Sequence, residues 1–131
     1  MALRKNDSLR DQQADDFAAL WAGGNMQIRT GGQPADPDTA SPGSILAIIP
    51  LPSPAFGAAA SGVISKAGTW SADASGTGIA GWARIRNAAD TMSFDVSVGE
   101  TGADLTIDDE DIVTGGVVTV TSFTITIPDG V

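Results

Sequence analysis

The chain of 131 residues has the size of one domain, and its 42% hydrophobic content is enough to form a buried core. The 7 Lys and Arg residues are outnumbered by 16 Asp and Glu residues, and the resulting formal net charge of -9 disfavours binding to nucleic-acid phosphates. The chain contains no His, Cys or Tyr. Thiol and imidazole nucleophiles, Cys or His zinc sites and disulfides are therefore excluded.

The N-terminal residues predict one short amphipathic helix over residues 8–22. Residues 6–8 are all favourable N-caps, and a double glycine after Ala22 provides a stop signal. Asp11 and Asp15 lie on the side of the helix predicted to face solvent. Four large apolar side chains fall on the other side: Leu9, Phe17, Leu20 and Trp21.

From residue 25 onward, short alternating segments separated by Gly, Pro, Ser and Thr predict a mainly β domain of about seven strands. Residues 31–43 hold three prolines and no large apolar side chain, which indicates a surface loop. Residues 79–86 and 92–98 alternate around a turn at 87–90 and predict a hairpin. We expect an antiparallel β-sandwich or jelly-roll-like domain with one short N-terminal α-helix.

The last predicted strand changes its buried side partway along. Val118 and Val120 share one parity, whereas Phe123, Ile125 and Ile127 share the other. One extra residue near position 121 or 122 would produce this change, either as a β-bulge or as a strand that crosses between two packed sheets.

Two segments follow from these patterns: residues 1–24, a helix with a possible docking role, and residues 25–131, the β domain. A short β domain can close without the helix, so we favour docking of its apolar stripe on a partner over packing on its own domain. Basic Arg4, Lys5 and Arg10 lie in the same segment, whereas every charged residue after Arg86 is acidic.

A second candidate interface is formed by Trp82, Arg84 and Arg86, which share one parity of a strand. Trp and Arg are enriched at the centres of interfaces. The alternative, given equal weight, is that Trp82 packs in the core and the arginine stems cover its rim.

No pattern predicts catalysis, a cofactor or a metal site. The acidic residues Asp104, Asp108, Asp109, Glu110 and Asp111 could gather Ca²⁺ ligands, but their spacing does not match the D-x-D-x-D-G loop and a solvated turn is favoured. No phosphate-binding loop or G-x-S-x-G elbow is present. We therefore expect a protein that is not an enzyme.

The chain also lacks the pattern of a secreted or membrane protein. Charges are scattered through its first residues, where a signal peptide needs an apolar stretch, and the longest strongly apolar run, 45–51, is too short to cross a bilayer. We expect a protein that is made and kept soluble and has no membrane partner.

Nearly the whole chain resembles a group of small phage and prophage virion structural proteins. The resemblance rests on an opening helix (LRDQQADDFAALWAGG), the loop IRTGGQPADPDTA, the segment LPSPAFG, the strand AGW and the closing strand VTVTSFT. It is a resemblance of layout and short phrases that includes no catalytic motif.

The resemblance implies a virion component, and composition favours a head decoration (cement) protein on the outer capsid surface, because an acidic module avoids the packaged DNA. The resemblance also implies synthesis in the bacterial cytoplasm, and it implies the major capsid protein and neighbouring copies of the chain as partners. A tail or head-tail junction component, or a carbohydrate- or receptor-binding module, remains an alternative.

Overall fold

The computed structural model describes residues 3–129 and confirms a mainly β fold with one short helix. The helix is α1 (Asp7–Ala19). The strands are β1 (Asn25–Thr30), β2 (Ile45–Pro50), β3 (Val63–Ser65), β4 (Ser71–Asp73), β5 (Gly78–Arg86), β6 (Ser93–Gly99), β7 (Leu105–Ile107), β8 (Asp111–Ile112) and β9 (Val117–Thr126). Residues 1–2 and 130–131 of the two predicted segments lie outside the described residues.

The strands form one curled, mixed sheet in the order β2-β1-β5-β6-β7-β9-β3, with β4 beside β9 and β8 beside β5. All strand pairs are antiparallel except β6 and β7, which are parallel. A purely antiparallel sandwich or jelly roll is therefore not confirmed. The short strands β4 and β8 carry too few residues for a readable alternation.

The predicted hairpin is formed by β5 and β6, in the register Trp82↔Ser97 and Arg84↔Asp95. Its turn is held by Asn87, whose Oδ1 accepts hydrogen bonds from the backbone N–H groups of Thr91 (2.8 Å) and Met92 (3.0 Å). Asp90 has a φ of 56°, in the left-handed region that aspartate tolerates in turns.

The change of buried side in β9 is a bulge, as expected. In the pairing with β7, Thr106 lies opposite Ser122 and Ile107 lies opposite Val120, so Thr121 is the extra residue. Val118 and Val120 are buried on one side of it and Phe123 on the other. One strand can thereby bury both apolar sets.

The core contains a contiguous aromatic cluster that includes the helix. Phe17 and Trp21 both pack against Phe94, with ring centroids 5.5 and 4.8 Å away. Phe94 stacks on Phe123 at 6.4 Å, and Phe123 contacts Phe56 and Trp70. Phe17 of the helix and Trp21, two residues after its end, therefore join the same core as the strands.

Polar contacts attach the helix along its length. The side chain of Asn6 caps its first turn by accepting the Leu9 N–H at 3.0 Å. Arg10 Nε donates to the Ile127 carbonyl oxygen at 3.0 Å. Asp11 and Asp15 accept the backbone N–H groups of Gly62 and Ala59 at 2.7 and 2.9 Å, so the side predicted to face solvent contacts the β domain instead.

Replacing Phe123 tests this arrangement of the core. Phe123 is 3% exposed and links both halves of the aromatic cluster, so Phe123→Ala should lower the free energy of unfolding by about 3–5 kcal/mol. Val117→Thr, on the same strand but 61% exposed, should change it by less than about 0.5 kcal/mol. Urea unfolding measures both, and equal effects would contradict the assigned faces of β9.

Candidate functional site

The outward face of β1, β5 and β6 carries a group of polar side chains around Trp82. The register places Arg29 and Ser97 on either side of Trp82, and Gln27 and Asp95 on either side of Arg84. Side chains opposite one another in a sheet share one face. Polar residues from three adjacent strands therefore lie together on the face of the sheet that the loop 31–43 crosses.

Arg84 lies at the centre of this group in a buried ion pair. Its Nε and Nη2 donate to Asp95 Oδ1 and Oδ2 at 2.7 and 3.0 Å, and the two side chains are 4% and 1% exposed. Nη1 donates to the Thr39 carbonyl oxygen at 2.8 Å and to Ser41 Oγ at 2.9 Å. The Arg84 guanidinium therefore links residues 39 and 41 of the loop to the sheet.

The pKa values of Arg84 and Arg29 are shifted in opposite directions by their surroundings. Hydrogen bonding to Asp95 raises the pKa of Arg84, against the effect of burial, and the charges of Asp95, Asp36 and Asp38 add to the increase. Burial lowers the pKa of Arg29, and the positive charges of Arg86 and Arg84 lower it further. Arg29 has only neutral acceptors, Gly43 O and Gln27 Oε1, both at 3.2 Å.

A polar cleft of about 330 Å³ lies between the loop and the hairpin. Arg84 and Arg86 line it together with Asp38 and Asp90. Arg86 Nη1 is paired with Asp90 Oδ1 at 2.8 Å, and Arg84 is saturated by Asp95 and the loop. The arginines are thus neutralised, and the cleft has no free positive charge with which to hold an anion.

Two of the three residues of the second candidate interface (Trp82, Arg84 and Arg86) are buried. Trp82 is fully buried with the Arg84 Cζ atom 5.3 Å from its ring centre, and Arg84 is buried beside it. Arg86 is partly exposed. The packing alternative describes these positions, and of the three side chains Arg86 alone reaches a surface that a partner could contact.

The four apolar residues of the helix separate into two pairs. Phe17 is partly buried and Trp21 is 2% exposed, both in the aromatic cluster. Leu9 and Leu20 are 48% and 40% exposed on the outer side of the helix segment. Eleven residues separate them, which at 1.5 Å per residue is about 16 Å. The helix packs on its own domain, and only two of its leucines are available to a partner.

The helix and the acidic residues Glu100 and 108–111 lie at opposite ends of strands β6 and β9. At the helix end, Phe17 contacts Phe94 near the start of β6, and Arg10 contacts Ile127 just after β9. At the acidic end, Glu100 follows the end of β6, and Asp108 Oδ1 accepts the Thr119 N–H near the start of β9 at 3.2 Å. The eight residue steps from Thr119 to Ile127 separate the two ends by about 26 Å.

The carboxylates of the acidic end bind backbone rather than converging on one point. Asp108 Oδ1 also accepts the Asp109 N–H, and Asp109 Oδ1 accepts the Asp111 N–H. Within residues 3–129 no group of three or more acidic side chains is placed to hold a metal ion. Desolvation raises the pKa of Glu100, and the charges of Glu110, Asp109 and Asp111 raise it further.

Asp95 and its contacts with the loop were not predicted from the sequence. The signal was present, because the predicted hairpin places an arginine opposite an aspartate, a favourable cross-strand pair. The contacts of Arg84 with Thr39 and Ser41 had no such signal, since they join residues more than 40 positions apart.

Comparison with protein-family models, with curated proteins and with solved structures gave no significant match. The resemblance to phage structural proteins thus stays a prediction. In the described part of the chain, no helix is long and apolar enough to cross a membrane.

Removing the charge of Arg84 tests the role of the ion pair. Arg84→Met should lower the free energy of unfolding by about 3–5 kcal/mol, because Asp95 then remains buried without a counter-charge. Arg84→Met combined with Asp95→Leu should recover much of that loss. The control Arg86→Met should cost less than about 1 kcal/mol, since its partner Asp90 is exposed. A double variant as unstable as the single one in urea unfolding would contradict this account.

Proposed function

We propose that this protein is a non-enzymatic phage virion structural protein, a head decoration (cement) protein that binds the outer capsid surface. The observation that carries the proposal is the separation of an aliphatic helix end from an acidic end across the length of β9. A module that coats a particle needs one end that adheres and one that faces solvent. The sequence resemblance supports the same class.

The helix end supplies the adhesive features. Leu3, Leu9 and Leu20 are about half exposed on it, so covering the exposed part of each would stabilise a complex by about 1 kcal/mol. Arg4 lies in the same segment with 72% of its side chain exposed, beside Asp129 at 3.3 Å. These residues would contact the major capsid protein, and neighbouring copies would add lateral contacts that strengthen attachment through multivalency.

The acidic end has the properties of an outward surface. None of the four ion pairs among residues 3–129 involves Glu100 or residues 108–111. Their charges therefore stay uncompensated within the chain, and a surface of one sign repels other particles and polyanions. The interface prediction then concerns Leu9 and Leu20, with Arg86 as a secondary position.

Copy number in purified particles distinguishes this proposal from its alternatives. Hundreds of copies per particle, with density at capsid lattice sites, are expected for a decoration protein. Six or twelve copies on the particle axis would instead assign the chain to the tail or the head-tail junction. Absence from particles together with glycan binding by the pure protein would indicate a carbohydrate- or receptor-binding module.

Substitution of the exposed leucines tests which end attaches. Leu9→Gln with Leu20→Gln should leave the melting temperature nearly unchanged and lower occupancy on capsids that lack the protein by at least about tenfold. The matched control is Ile79→Gln with Val113→Gln, two residues exposed away from the helix, and it should bind like the wild type. Unchanged occupancy of the leucine variant, or loss only in the control, would contradict attachment through the helix.

A further inference from the structure

The sheet wall is incomplete between β6 and β9. β7 lies between them but has only three residues, and it pairs with β6 only at Val98 and Gly99 and with β9 from Phe123 toward Val120. Within residues 3–129, no strand occupies the remaining length between residues 93–96 of β6 and 124–126 of β9. We call this length the slot.

Both strands turn main-chain groups toward the slot. The Asn87 N–H group donates to Met92 O at 3.1 Å, so Met92 directs its main-chain groups toward the β5 side of the hairpin. Along an antiparallel strand, every second residue bonds to the same neighbour. Phe94 and Val96 therefore bond to β5, whereas the main-chain groups of Ser93 and Asp95 point into the slot. The only described side chain that bonds to this edge of β6 before Ser97 is Gln33, whose amide reaches Asp95 O at 3.4 Å.

The facing edge of β9 is open in the same way. Lys66 N–H bonds to Phe123 O at 3.0 Å, and Ile127 N–H bonds to Gly62 O at 2.8 Å, so the odd-numbered residues pair toward β3. The backbones of Thr124 and Thr126 therefore point into the slot. Unpaired strand edges are templates for pairing with another chain.

The floor of the slot is apolar and its rim carries one charge. The cavity holds about 310 Å³ and is lined by Phe17, Phe94, Val96, Asp104, Phe123, Thr124 and Ile125. Asp104 is the only charged residue in this lining, and it is exposed. Its Oδ2 accepts the Ser97 N–H at 3.3 Å, at the end where β7 begins.

We propose that the slot binds an extended segment of a different protein as an added strand, with alternate apolar side chains on the aromatic floor and a basic residue next to Asp104. Main-chain bonds to both edges would supply affinity, and the floor and the carboxylate would supply specificity. Charge complementarity identifies the occupant: the one charged residue of the slot lining is acidic, and this chain itself has 16 Asp and Glu against 7 Lys and Arg, so a cationic segment of another protein complements the slot better than a second copy does.

The inference goes beyond the proposed function, since it concerns a different surface from the exposed leucines. The two are separable experimentally. A variant that no longer binds a peptide in the slot should still occupy capsids through Leu9 and Leu20. A variant of the two leucines should still bind the peptide.

Binding is measured with a synthetic peptide of alternating valine and threonine that carries lysine at one end, in both sequence orders. Added to the full chain at about millimolar concentration, it should protect the backbone amides of Asp95 and Thr126 from hydrogen exchange. A backbone N-methylated peptide should give no protection because it cannot form the ladder. Protection by neither peptide order, or equal protection by the N-methylated control, would overturn the proposal.

Two variants locate the site. Thr126→Pro removes the N–H group that points into the slot and leaves the hydrogen bonds between β9 and β3 in place. This variant should therefore not bind the peptide. Asp104→Asn should weaken binding of the lysine peptide by about twofold to fivefold but leave binding of a neutral analogue unchanged. Asp109→Asn, which removes a carboxylate outside the slot, should have no effect on either peptide. Equal effects of the two Asn variants would overturn the role of Asp104, even if Thr126→Pro failed to fold.

Self-association is the competing outcome. If sedimentation of the protein alone shows a dimer that Asp104→Lys strengthens and whose formation protects the same amides, the slot belongs to a second copy and the proposal is wrong. A monomer that binds the peptide is the expected result.

Discussion

Six of the seven aromatic rings of the chain form one contiguous cluster, and the position of the helix depends on it. Phe17 and Trp21 cover Phe94 on β6, and Phe94 stacks on Phe123 on β9. Phe123 in turn contacts Phe56 and Trp70, which come from the segments before and after β3. Removing the helix would expose these rings to water at a cost of several kcal/mol. The helix therefore belongs to the folding unit, and any surface it offers to a partner is limited to the side facing away from the cluster.

The seventh ring, Trp82, lies on the opposite face of the sheet under the guanidinium of Arg84. A buried pair such as Arg84 and Asp95 adds little net stability over apolar replacements, but its hydrogen bonds fix geometry. Here they determine where the loop 31–43 crosses the sheet. The molecule thus has an apolar core that holds the helix and a polar face that holds the loop, and the acidic end lies far from the helix.

Alternation identified much of this fold from the sequence, because one-sided burial leaves a period of two that β6 follows throughout. It also located the bulge in β9, where Thr121 is skipped in the pairing with β7. It could not show that β6 and β7 are parallel, since alternation identifies the two faces of a strand but not its direction relative to a neighbour. The helix was assigned a solvent side from Asp11 and Asp15, but those carboxylates accept backbone N–H groups of residues 59–62, a tertiary contact invisible to a helical wheel. The predicted apolar stripe grouped four residues that differ in burial. Phe17 and Trp21 pack in the core, whereas Leu9 and Leu20 are exposed, and this difference depends on tertiary packing that the helical pattern does not contain.

Native-state hydrogen exchange of the intact protein tests most directly whether the helix is part of the folding unit. If the aromatic cluster joins helix and sheet, the amides of Ala14 and Ala18 should exchange with an opening free energy close to that of Val120 in β9. Their protection should also fall together in mild denaturant. Helix amides that exchange orders of magnitude faster than Val120, while β9 stays protected, would show a separable arm and contradict this account.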